Sequence, residues 1–110
     1  MLLISTFATA TNDNMDETIS FGGLSSVQSV KLTKVALTLT TAATAANSFV
    51  VTHRHHKTGM GDTIIRSQAM ASVKDFVWIP DVPVEIGGKD RLNFAWTADK
   101  VWTLEVFGKA

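Results

Sequence analysis

The sequence contains no cysteine and no excess of basic residues, and each absence argues against a class of protein. Small secreted scaffolds compensate for a small hydrophobic core with disulfides, which cannot form here. Nucleic-acid binders draw much of their affinity from surplus basic side chains on phosphates, whereas ten Lys and Arg residues here balance ten Asp and Glu residues. We therefore expect a domain held together by its core or by partner chains, with no direct contact to nucleic acid.

Long apolar stretches are also missing. No apolar run approaches the roughly 18–20 residues that a transmembrane helix requires, which predicts no membrane partner. The N-terminal segment MLLISTFATA resembles a signal peptide, but it lacks a positive n-region, and Ser5 and Thr6 interrupt its apolar character. We interpret this segment as a first β-strand and expect synthesis and assembly in a cytoplasm.

Strand-forming residues are abundant, and their alternation predicts short strands along most of the chain. Thr, Val and Ile are frequent, and β-branched side chains fit a pleated surface better than a helix. Within 29–41 the apolar parity changes between Leu32 and Val35. One extra residue is needed to keep both sets of side chains inward, so we predict a β-bulge or bend near Thr33-Lys34.

The spacing of strands and turns predicts an all-β fold. Turn signals recur at intervals of roughly 8–12 residues, which is typical of a sandwich or barrel. About eight strands fit an antiparallel β-sandwich of the jelly-roll type better than a five-stranded barrel. Pro80 and Pro83 predict an edge or an extended crossover. The length predicts a single domain, 1–110.

All three tryptophans lie in the last third of the chain. Trp78, Trp96 and Trp102 each belong to an alternating apolar strand, which predicts positions in the core. An exposed platform that stacks against sugars is the alternative interpretation.

The C-terminal half contains an ordered set of turn and aromatic motifs. Asp75–Pro80 (DFVWIP) precedes the turn Gly88–Asp90 (GKD), the aromatic strand Asn93–Trp96 (NFAW) and the closing strand Trp102–Val106 (WTLEV). Over about residues 48–107 this order resembles small jelly-roll proteins encoded among the virion genes of tailed bacteriophages. The turn Ala98–Lys100 (ADK) departs from the Asn-Pro-Asp turn that is common in those proteins. The matching motifs define a fold more than a role.

The resemblance implies a structural virion protein and no enzyme activity. Among virion components we favour a capsid cement, or decoration, protein that binds the outside of the phage head and reinforces contacts between major capsid subunits. The expected partners are the major capsid protein and two further copies in a homotrimer. The expected location is the capsid surface, after assembly in the host cytoplasm. The alternative is a β-sandwich module of a tail, fibre or baseplate, including one that binds carbohydrate.

Two segments are candidates for contacts between chains. The first is the apolar N-terminal strand, with Leu2, Leu3, Ile4 and Phe7. The second is the glycine-containing loop around Met60.

His53 and His55 are the candidate metal ligands. Two residues apart on one strand, they project from the same face, where Asp62 could add a carboxylate. The sequence favours a polar strand end beside an exposed hairpin instead, because a zinc site normally shows four clear ligands. The chain shows no nucleophile motif and no phosphate-binding loop, so we predict neither an enzyme nor a cofactor.

Overall fold

The computed structural model describes residues 2–8, 14–20, 29–43, 47–55, 61–87, 90–97 and 101–109. Within these ranges no helix is long and apolar enough to cross a membrane. The described residues form nine strands: β1 (Leu2–Ala8), β2 (Met15–Ser20), β3 (Ser29–Leu39), β4 (Ser48–Arg54), β5 (Thr63–Ala69), β6 (Asp75–Trp78), β7 (Val84–Gly87), β8 (Arg91–Trp96) and β9 (Trp102–Lys109).

The strands form two antiparallel sheets that pack together as a β-sandwich. The first sheet has the order β1-β9-β3-β6, with β7 also paired to β3. The second sheet has the order β2-β8-β4-β5. At this level the predicted all-β, antiparallel sandwich is confirmed.

Strand β3 has an irregular register at the predicted position. Leu32 pairs with Gly108 and Lys34 pairs with Phe107, so Thr33 is an extra residue opposite β9. Leu32 and Val35 are both 0% exposed. The bulge allows both apolar sets to face the core, and the predicted bulge near Thr33-Lys34 is confirmed.

Strands β6 and β7 lie one after the other along the same edge of β3. Residues 35–38 of β3 pair with β6, and residues 29–32 pair with β7. Pro80 and Pro83 lie in the interruption between them, where no backbone N–H is needed for a sheet ladder. The interrupted edge agrees with the expectation from the two prolines.

The core joins the two sheets through aromatic and aliphatic side chains. Phe49 of β4 stacks on Phe94 with ring centroids 6.4 Å apart and meets Phe76 of the other sheet edge-on at 5.9 Å. Trp96 and Trp102 are 2% and 1% exposed, which confirms their predicted core positions. Trp78 is half-buried and packs against the same cluster.

Candidate functional site

Strand β4 carries His53 to the end of the second sheet where β8 begins. Its Cα pairs with Leu92 on one side and Thr63 on the other. Phe49 and Val51, at two-residue intervals before it, are both 0% exposed. His53 therefore continues the inward face of β4 toward the end of the sandwich.

His53 meets a buried carboxylate at this end. Its Nε2 donates a hydrogen bond to Oδ2 of Asp90 at 2.8 Å. Asp90 is only 7% exposed, and its backbone N–H donates to the carbonyl oxygen of Gly87 at 3.0 Å. Asp90 thus closes the turn between β7 and β8 and links that turn to β4.

Gly87 allows the carboxylate to lie against the turn. A Cβ atom at this position would be 3.1 Å from Oδ2 of Asp90, which is tighter than ordinary van der Waals contact. The turn therefore favours a residue without a side chain at Gly87.

Both candidate histidines border one cavity of about 200 Å³, which is also lined by Gly61 and Thr63. This shared position agrees with the same-face spacing of His53 and His55. In the part of the chain that the structure describes, no group of three or more His, Asp or Glu side chains could hold a metal ion. Asp62 lies 3.9 Å from Nη1 of Arg54. Metal ligation by His53 and His55 stays a prediction.

A second depression, of about 380 Å³, lies on the second sheet and is lined by residues of β2, β4 and β8. Asn93 is 4% exposed there, and its Nδ2 donates to Oδ1 of Asp16 at 2.8 Å and to Oγ1 of Thr18 at 3.1 Å. Arg54 and Val50 line the same depression. The sequence does not mark Asn93 as a site residue, because alternation with Leu92 and Phe94 predicts only a polar, outward residue.

The predicted interface residues Leu2, Leu3, Ile4 and Phe7 all lie on β1. Strand β1 pairs with β9 and is an edge of the first sheet within the described residues. The backbone of these four residues is described, whereas their side chains are outside the description, and Met60 lies outside the described residues altogether.

No protein-family model, curated protein or solved structure matches this chain. The geometry defines a β-sandwich with an ionisable pair at one end, a polar depression on one sheet and an edge strand that carries the predicted contact residues.

Proposed function

We propose that the chain is a structural virion protein, a capsid cement protein that binds the outside of a phage head and reinforces contacts between major capsid subunits. The observation that carries the proposal is the strand order, β1-β9-β3-β6 in one sheet and β2-β8-β4-β5 in the other. Strands β1 to β4 alternate between the sheets, as they do in a jelly roll. Counting β6 and β7 as one interrupted strand reduces the nine strands to eight, the number in a jelly roll.

This strand order supports the proposal because the proteins that the C-terminal half resembles are jelly rolls. The partners we propose are the major capsid protein and, in a homotrimer, further copies of this chain. A cement protein gains binding energy from many weak contacts repeated over a lattice. Such a role needs broad adhesive surface and no catalytic centre, so we propose a protein that is not an enzyme.

Exposed apolar side chains near the interrupted β6–β7 edge support contact with another protein surface. Val77, Ile79 and Val82 are 53%, 62% and 76% exposed. Apolar side chains that are exposed close together in sequence mark candidate interaction surfaces. This segment is the contact to the shell that we propose to test first.

The test is binding of the purified protein to shells of the phage that encodes it, prepared without the protein. We expect saturable co-sedimentation with mature heads and a higher melting temperature of the decorated shells. Val82→Asp should weaken binding, because it places a carboxylate in the apolar contact. Thr97→Asp, at another exposed position, is the matched control and should bind like the parent. Absence of binding to heads would contradict the proposal.

The depression around Asn93 favours one second candidate, a carbohydrate-binding module of a tail, fibre or baseplate. A carboxylate, an amide and a guanidinium group line it, from Asp16, Asn93 and Arg54, and such groups suit sugar hydroxyls. Trp96 borders the depression but is buried, and Trp78 and Trp102 lie in the other sheet, so the polar side chains carry this candidate. A glycan array tests this role: a signal that Asp16→Ala abolishes supports it, and no signal counts against it.

A further inference from the structure

An open sandwich has edge strands whose backbone N–H and C=O groups lack a partner on one side. In the described residues these edges are β1 and the β6–β7 segments in the first sheet, and β2 and β5 in the second. Unprotected edges pair with strands of other chains, and proteins commonly block them with charges, proline, bulges or short strands. The four edges can therefore be compared by how well each is blocked.

Three of the four edges carry such protection. Strand β2 contains Asp16 and Glu17. Strand β5 contains Arg66 and has an irregular register against β4. The segments β6 and β7 are four residues each, with Pro80 and Pro83 between them.

Strand β1 differs from the other edges. Its seven residues, LLISTFA, include no charge and no proline. Its register against β9 shifts between Leu3 and Ser5, but from Ser5 to Ala8 every residue pairs in regular antiparallel order with β9. In this regular segment, alternate backbone groups point away from β9 toward the open side. A second strand can dock there by β-augmentation.

We propose that β1 pairs with β1 of a second copy of this chain, antiparallel about a twofold axis, so that the first sheet continues from one chain into the other. A twofold contact brings the same strand from each chain together, and an uncharged strand places no like charges opposite each other. The same pairing of β2 would bring the carboxylates of Asp16 and Glu17 close to their own copies. Among the four edges, the absence of charge thus favours β1 for pairing with its own copy.

This contact goes beyond the proposed function and does not depend on it. A twofold contact joins two chains, so it would link neighbouring trimers in the proposed lattice and would not build one trimer. Self-association and head binding are measured separately, and either can fail while the other holds.

The absence of cysteine permits a direct test of the β1–β1 contact. Single-cysteine variants at each position from Ser5 to Ala8 place one thiol per chain along the regular part of β1. We expect one position, at the twofold axis, to form a disulfide-linked dimer rapidly under mild oxidation, because directly opposed residues bring their Cβ atoms close enough to bridge. Thr38→Cys, on the interior strand β3 and exposed, is the control. Cross-linking no faster than this control at all four positions would overturn the proposal.

A second measurement uses light scattering over a range of protein concentrations. The parent should reach the mass of a dimer, or of an even multimer where trimers form as well. Thr6→Lys, at an exposed position on β1, should raise the dissociation constant of the twofold contact about tenfold or more, because paired copies oppose like charges. Thr38→Lys should associate like the parent. Circular dichroism of both variants verifies folding, and unchanged association of a folded Thr6→Lys protein would overturn the proposal.

Discussion

At the scale of single residues, Asp90 stabilises the end of the sandwich where β8 begins. It is buried, it accepts the hydrogen bond from His53, and its backbone closes the turn onto Gly87. Asp90→Ala removes the partner of a half-buried imidazole. We expect a loss of about 1–3 kcal/mol in the free energy of unfolding, measured by urea denaturation.

Asp81→Ala is the matched control, because Asp81 is an exposed carboxylate in the β6–β7 interruption. It should change the free energy of unfolding by no more than about 0.5 kcal/mol. Gly87→Ala checks the geometry further, since its Cβ would press on the carboxylate of Asp90. Its cost should shrink when Asp90 is already alanine. Equal losses from Asp90→Ala and Asp81→Ala would contradict the role assigned to Asp90.

The local sequence could predict the turn and the strand face of the His53–Asp90 contact, but not the contact itself. Asp90 follows two glycines and a lysine, which predicts a turn, and its backbone N–H donates a hydrogen bond to the carbonyl oxygen of Gly87. Alternation along β4 places His53 on the same face as Val51. The two side chains are 37 residues apart in sequence, and nothing beside Asp90 tells whether its carboxylate faces solvent or turns inward. The position of Asn93 is hidden for the same reason, because its partners belong to β2.

At the scale of strands, the bulge in β3 is an instance where burial dictates register. The Oγ1 atom of Thr33 is buried and has no hydrogen-bond partner among the described residues. Thr33→Val keeps the β-branched shape and removes the unsatisfied hydroxyl, so we expect about 1 kcal/mol of added stability in urea denaturation.

Deletion of Thr33 is the contrasting variant for the same bulge. Without Thr33, Leu32 and Val35 are two positions apart, so both can face the core in a regular strand that needs no bulge. We expect this variant to fold and to lose no more than about 1 kcal/mol in urea denaturation. A deletion variant that fails to fold would show that the bulge does more than correct the parity of the strand.

Strand phase could be predicted from the sequence, whereas strand order could not. A strand with one buried face shows apolar and polar residues in alternation, and this alternation predicts which side chains point inward. In β9 the residues predicted to point inward, Trp102, Leu104 and Val106, are all buried. The position of β9 between β1 and β3 joins segments from opposite ends of the chain. No local signal specifies such a neighbour, because turns constrain only strands that follow one another.

At the scale of the whole molecule, this strand order predicts cooperative unfolding. Among the described strands only β4 and β5 are both consecutive and paired, and each sheet combines strands from both halves of the chain. Neither sheet can form from one continuous segment, and the shared aromatic core joins the two. We therefore expect one transition in which both sheets unfold together.

The tryptophans allow each sheet to be followed separately. Trp96 lies in the second sheet, whereas Trp78 and Trp102 lie in the first. In a Trp96→Phe variant fluorescence reports the first sheet, and in a double variant with Trp78→Phe and Trp102→Phe it reports the second. In each variant the urea midpoint by fluorescence should coincide with the midpoint by far-ultraviolet circular dichroism. Separate midpoints within one variant would show that a sheet can persist alone, contrary to the interdependence that the strand order imposes.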